Sequence, residues 1–193
     1  MSQKSNCLKD GVDLTAGYDI KAFSENVVRL QPNGINAYFF CSKKQIPEYM
    51  RVYVGGLKCK FDIICWHKTN VPPTFANKYL PDTEYCLYFH KGKGKTAPKC
   101  YDDAKTYHIS GINAKDKKKW GHPTIKPIDL VERLIRNSSS EGDVVLDPFI
   151  GSGTTAVAAM RLNRRFIGFE LNKHYYNIAC RRIADERNTN TLF

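Results

Sequence analysis

The chain has 193 residues, 42% hydrophobic and 12% aromatic, with a formal charge of +11 at pH 7. That is long enough for one domain with a sizeable core, and the aromatic content excludes a disordered chain. No apolar run approaches the ~20 residues of a membrane span. The polar start Met1-Ser-Gln-Lys-Ser-Asn lacks the apolar region of a signal peptide, and seven cysteines without a Cys-x-x-Cys pair suit a reduced cytoplasm and give no zinc signature, so a cytoplasmic protein without a metal is expected.

In chain order, Ile20, Phe23, Val27 and Leu30 fall at helical spacing and predict a helix over 19–30. Gln31-Pro-Asn-Gly34 forces a turn. Ile35 to Ser42 reads as a strand buried on both faces, and Ile46 to Tyr53 as a short helix. Cys59–His67 and Tyr85–Phe89 are predicted strands forming an antiparallel hairpin at the edge of a mixed sheet, joined by an irregular loop over 69–82. Residues 91–119 then hold nine lysines and three aspartates, so 29 residues carry +6 of the charge. Glycine and the aromatic side chains of Tyr101, Tyr107, His108 and Trp120 interleave this run, which favours a nucleic-acid-facing loop over a merely solvated one. Lys91, Lys93, Lys95, Lys99, Lys115, Lys117, Lys118 and Lys119 are its candidate DNA contacts.

Pro127 suits the first position of a helix whose apolar face is Leu130, Val131, Leu134 and Ile135. A strand over 143–146, a helix from about Thr154 to Leu162, a buried strand over 165–169 and a last helix capped by Asn172 complete the chain, with Tyr175, Ile178, Ala179 and Ile183 on one face of that helix.

The most specific stretch is Val144-Val-Leu-Asp147-Pro148-Phe149-Ile-Gly151-Ser152-Gly153-Thr154-Thr155, followed by Glu170 at the end of the next apolar run. A strand that breaks into a glycine turn before a helix, with an acidic residue closing the next strand, is how an open α/β sheet holds an adenosine-containing cofactor. Gly151 and Gly153 let the backbone approach a ligand. Asp147 can accept a hydrogen bond from the ligand's amino group, Thr154 and Thr155 can cap the helix or reach the ligand, and Glu170 can accept both ribose hydroxyls. With Ala156 third, the turn also satisfies the dinucleotide fingerprint, but only 23 residues follow Glu170, too few for a second half-sheet. A nicotinamide-dependent oxidoreductase is therefore the weaker reading.

Asp147-Pro-Phe-x-Gly-Ser-Gly-Thr-Thr155 resembles the cofactor motif of bacterial and phage DNA amino-methyltransferases, the N6-adenine and N4-cytosine group. Gly121-His122-Pro-Thr124-Ile-Lys126-Pro127 resembles the family's His-Pro-Thr-x-Lys-Pro segment. Weaker likenesses lie in Trp66–Asn70 with Glu84-Tyr85 and Lys91-Gly92, and in Arg29-Leu-Gln-Pro-Asn-Gly34. The resemblance implies S-adenosyl-L-methionine as cofactor, duplex DNA as partner, an association with restriction–modification, and an incomplete Rossmann-like sheet with helices on both faces. It implies cofactor contacts from the turn (Asp147, Pro148, Phe149, Gly151, Ser152, Gly153, Thr154, Thr155, Glu170) and from His122, Thr124 and Lys126, the last toward the methionine carboxylate. The segment order implies one domain: 1–92 as the remainder of a catalytic half, 93–120 as a recognition loop, and 121–193 as the cofactor half.

The family's catalytic signature, Asp/Asn/Ser-Pro-Pro-aromatic, accepts the target amino hydrogens and stacks on the flipped base. Here the one Pro-Pro pair, Pro72-Pro73, is flanked by Val71 and Thr74, neither of which can do this work, so no catalytic residue is assigned. The resemblance places the missing strand at the sheet centre, leaving two separate groups of strands. The expectation is a chain truncated before the motif, with alternatives in a split enzyme completed by a second chain, a homodimer, or a non-catalytic DNA- and cofactor-binding relic.

Overall fold

The computed structural model describes residues 18–73, 79–94 and 96–190. Lys95, Thr74 and the polar start at Met1 lie outside the described residues. Helix α1 (Ile20–Leu30) begins where Asp19 accepts the N–H groups of Lys21 and Ala22 at 2.8 and 3.1 Å, which satisfies two otherwise orphan donors. The turn at Gln31 leads into β1 (Gly34–Cys41). Helix α2 (Ile46–Tyr49) runs on as a π-helical segment over Met50–Gly56, three residues beyond the predicted end at Tyr53.

Strands β2 (Lys60–Lys68) and β3 (Thr83–Gly92) form the predicted antiparallel hairpin, with Trp66 opposite Glu84. The lysine-rich run, read as a loop, contains three short elements: α3 (Tyr101–Ala104), β4 (Tyr107–Ser110) and α4 (Ala114–Trp120). β4 pairs parallel to β2 outside the hairpin, giving a mixed four-stranded sheet of order β1-β3-β2-β4, so the hairpin forms the centre of this sheet and not its edge as expected, because β1 and β4 flank it. A four-residue strand among charges shows too little alternation to be read from sequence.

The second half alternates as expected: α5 (Ile128–Ser138), β5 (Val144–Asp147), α6 (Thr154–Arg161), β6 (Arg165–Gly168) and α7 (Lys173–Asn190). β5 and β6 pair in parallel as a separate two-stranded sheet. The two groups of strands foreseen in the sequence are therefore present, and neither pairs with the other among the described residues.

β3 is buried on both faces. Leu87 and Phe89 pack with Ile20, Tyr49 and Tyr53, whereas Cys86 and Tyr88 pack with Ile64, Trp66, Leu130 and Leu134. Helices thus cover both faces of the larger sheet, α1 and α2 on one side and α5 on the other. Helix α5 also joins the two sheets. Its Leu130 and Leu134 face the four-stranded sheet, and Val131 and Ile135, one position on, meet Ala158, Ala159, Val145 and Phe166 of the smaller unit.

Two burial expectations need correction. β1 is buried only at Ile35, because it is an edge strand with one paired side. β6 is covered on one face only: Phe166 packs inward while Ile167 and neighbouring Phe169 are 49% and 58% exposed, alongside Leu146 at 41%.

Candidate cofactor site

The site begins at the end of β5. Asp147 Oδ1 accepts the Phe149 N–H at 3.0 Å, and the Thr155 side chain bonds the same carboxyl. Burial is the main influence on Asp147 and raises its pKa; the Thr155 and Phe149 bonds oppose this, and the nearby Glu170 charge adds to it. The parallel register sets Asp147 beside Gly168, so Glu170, two residues on, reaches the turn. Its Oε2 accepts the Gly151 N–H at 3.1 Å and its Oε1 accepts the Asn172 N–H at 2.8 Å. Asn172 in turn caps α7, its Oδ1 accepting from His174 and Tyr175.

The two glycines have separate reasons. Gly151 has φ +52°, and a Cβ there would lie 3.3 Å from His122 Nε2. Gly153 has φ +81°, and its Cβ would lie 3.2 Å from Ala179 Cα, so the turn can sit on α7 only without a side chain.

The segment 121–127 closes the turn from the far side. His122 is 7% exposed, with its ring 4.4 Å from that of Tyr175. The Thr124 N–H donates to His122 Nδ1 at 3.2 Å, which assigns the ring proton to Nε2, the nitrogen facing Gly151. Burial lowers the His122 pKa, so the ring is held neutral. Thr124 itself is exposed. Lys126 does not lie free: its ammonium is 2.5 Å from Glu84 Oε2 and 5.1 Å from the Phe40 ring centre, and Lys68 holds the other Glu84 oxygen at 2.7 Å. Burial opposes ionisation of Glu84, but the two ammonium groups outweigh it and hold the carboxyl below its usual range.

The turn, Glu170 and His122 are thus brought together. Phe149 stands at the rim, 60% exposed, with its ring edge-on to Tyr18 and tilted against Phe23, so the start of α1 meets the turn. Pro148 follows Asp147 in the half-buried turn. Ser152 and Thr154 point the other way: both are buried, and their hydroxyls lie 3.3 and 2.8 Å from the guanidinium of Arg182 on α7. Sequence reading missed Arg182, and named Glu84 only within a weak family likeness, not as the partner of Lys126. The signal for Arg182 was available, since it lies in the apolar stripe of α7 beside Ile178, Ala179 and Ile183.

The candidate DNA lysines are scattered. Lys91 lies in β3 and donates to the Leu57 carbonyl at 2.7 Å, while Lys93 and Lys99 are exposed further along. Lys115, Lys118 and Lys119 are exposed on α4, Lys119 lying 4.3 Å over the Trp120 ring. Lys117 is half-buried, and burial, with Lys68 and Lys126 nearby, lowers its pKa.

The donor set fits an adenosyl amino acid. Each carboxylate oxygen carries two lone pairs, so Asp147 and Glu170 keep acceptor capacity beyond their backbone bonds. Gly151 brings bare backbone against His122 where a Cβ would crowd the ring, and Phe149 stands exposed at the rim.

A DNA methylase family model matches residues 19–181. The chain is 40% identical over 139 residues to the type II methyltransferase M2.DpnII of Streptococcus pneumoniae, covering 66% of this chain and 52% of that protein. It is 44% identical over 179 residues to the type II methyltransferase M.HpaI of Haemophilus parainfluenzae, covering 82% of this chain and 56% of that protein. The crystal structure of an M1.HpyAVI–SAM complex superposes with a TM-score of 0.70 and 32% identity over 84% of this chain and 83% of that one. The chain spans about half the length of the first curated relatives it matches.

Proposed function

The chain belongs to the DNA methylase family, and on that premise we propose that it binds S-adenosyl-L-methionine at the 147–155 turn and serves in methylating the exocyclic amino group of adenine (N6) or cytosine (N4) in duplex DNA. The observation that carries this reading is the clasp of Glu170 on Gly151, which sets an acidic acceptor beside a Cβ-free backbone in the turn that follows Asp147.

When bound, the cofactor supplies an electrophilic methyl on a sulfonium centre. The chain's residues bind and orient it. Glu170 accepts the ribose hydroxyls with the lone pairs not used by Gly151 and Asn172. Asp147 accepts from the amino-acid ammonium, and its partly desolvated charge strengthens that contact. His122 offers its Nε2 proton beside Gly151, and Phe149 lies along the adenine. Pro148, Gly153 and Thr155 shape the turn, Thr155 by holding Asp147, and Ser152 and Thr154 support it from behind. Thr124 fixes the His122 ring, and Lys126, through Glu84, anchors that segment to β3. A base amino group is a weak nucleophile, and holding it in line with the methyl supplies much of the rate.

The exposed lysines of α4, with Lys93, Lys95 and Lys99, neutralise DNA phosphates, which makes 93–120 the DNA-facing region between a catalytic half (1–92) and a cofactor half (121–193). No helix among the described residues is long and apolar enough to cross a membrane, and a cytoplasmic site of action fits a DNA substrate. The group that accepts the amino hydrogens comes from a partner segment bearing the Pro-Pro-aromatic motif, in a longer chain or on a second one. Support for such a partner is the exposed apolar face of Leu146, Ile167 and Phe169 and the unjoined sheets.

The test is transfer of a radiolabelled methyl group to unmethylated duplex DNA by this chain with a polypeptide carrying that motif. The reading expects label in N6-methyladenine or N4-methylcytosine after digestion. Label in neither amine, or at cytosine C5, overturns it.

A further inference from the structure

Arg182 is 6% exposed, yet no carboxylate lies within ion-pair distance of it among the described residues. None of the acids of the neighbouring cavity, of about 480 Å³ between α4, α6 and α7, makes an ion pair with it: Glu186 is bidentate with Arg161 at 2.7 and 2.8 Å, Asp185 lies 3.5 Å from Lys119, and Asp116 and Glu186 favour the Arg182 charge only through space. The partners of the Arg182 guanidinium are neutral oxygens of the glycine turn: Thr154 Oγ1 at 2.8 Å, Ser152 Oγ at 3.3 Å and the Ser152 carbonyl at 3.5 Å. The position is costly. Burial disfavours an unpaired charge, and a cation beneath the first turn of α6 opposes the positive end of the helix dipole. An arginine kept there pins three oxygens of the turn, two on Ser152 and one on Thr154.

We propose that Arg182 is a positioning residue for the cofactor turn, fixing the 151–154 backbone from behind so that the Gly151 N–H meets Glu170 and the bare backbone of Gly151 stays against His122. It touches neither cofactor nor substrate and acts through Ser152 and Thr154. The inference rests on the proposed cofactor role for its consequence in binding, but its structural part stands on the turn alone.

The experiment compares the full chain with its Arg182→Met, Arg182→Lys and Arg181→Met variants. Arg181 is exposed, one residue earlier on the same helix, and controls for charge. Amide hydrogen exchange without ligand is read at Gly151 and Gly153, alongside thermal midpoint and S-adenosylmethionine titration. The expected result for Arg182→Met is exchange at the turn at least tenfold faster, with α6, α7 and the thermal midpoint little changed, and about tenfold weaker cofactor binding. Arg182→Lys restores part of both, and Arg181→Met changes neither. Unchanged exchange at the turn overturns the proposal, as does loosening spread equally over α6 and α7. If the unaltered chain fails to bind the cofactor, the proposed function falls, while the exchange result still decides the role of Arg182.

Discussion

Glu170 Oε2 accepts the Gly151 N–H at 3.1 Å, tying the residue after β6 to the turn after β5. The same carboxylate accepts from Asn172, so one side chain sets the turn and the entry to α7. Replacing Glu170 by alanine leaves two backbone donors unmatched, at about 1–3 kcal/mol for a donor left buried. The expected outcome is cofactor affinity reduced by about 10- to 100-fold, with a smaller loss for Glu170→Gln, measured by calorimetric titration.

Asp147 carries the opposite balance of stability and function. Burial raises its pKa above the unfolded value, so its favourable contribution is complete below about pH 3.9 and is lost as pH rises through the folded value. At neutral pH the ionised carboxyl therefore costs stability. Asp147→Asn raises the thermal midpoint at pH 7, by about 2–4 °C for each kcal/mol recovered, while cofactor binding weakens about tenfold as the ammonium contact loses its charge. A midpoint that falls would contradict the electrostatic account of this site.

His122 makes a pH-dependent contribution of the other sign. Its folded pKa lies below the ordinary value because the ring is buried. Below about pH 6.5 the unfolded chain takes up a proton that the folded chain refuses, so stability falls from there down toward the folded pKa; above pH 6.5 the effect vanishes. Urea midpoints at pH 7.5 and 5.5 should lie closer together in His122→Gln than in the unaltered chain, by at most about 1.4 kcal/mol per pH unit. His108, also held low by burial, remains in both proteins and cancels in the comparison.

The lysines of α4 divide by orientation. Lys115 and Lys118 are exposed, while Lys117 turns toward Lys68, Glu84 and Lys126. A Lys115→Ala, Lys118→Ala double variant should flatten the slope of log affinity for DNA against log salt by about 0.9 for each phosphate contact removed. Lys117→Ala should leave that slope nearly unchanged. Filter binding over a salt series checks both.

The sequence made the second half legible because each element there has a strong local signal. Pro127 opens α5, Asn172 caps α7, and the apolar stripe of α5 has helical spacing. The glycine turn and the acidic residue after the next strand were legible as well, and the structure joins them through the Gly151–Glu170 bond. What sequence could not disclose depends on partners distant along the chain. Glu84, 42 residues from Lys126, looks like an ordinary strand residue until β3 is placed beside segment 121–127. Ser152 and Thr154 read as ligand contacts because a hydroxyl in a glycine turn commonly is one, and only the docking of α7 shows them facing Arg182. The short β4 strand was hidden by the charges around it, since its pairing with β2 rather than its own pattern defines it.

The most direct test of the central claim is equilibrium titration of this chain with S-adenosyl-L-methionine, run beside NAD and beside Glu170→Ala. The account predicts saturable one-to-one binding of S-adenosyl-L-methionine, weakened at least tenfold in Glu170→Ala, and no saturable binding of NAD. Binding of NAD in preference, or S-adenosyl-L-methionine affinity unaffected by loss of the Glu170 carboxylate, would contradict it.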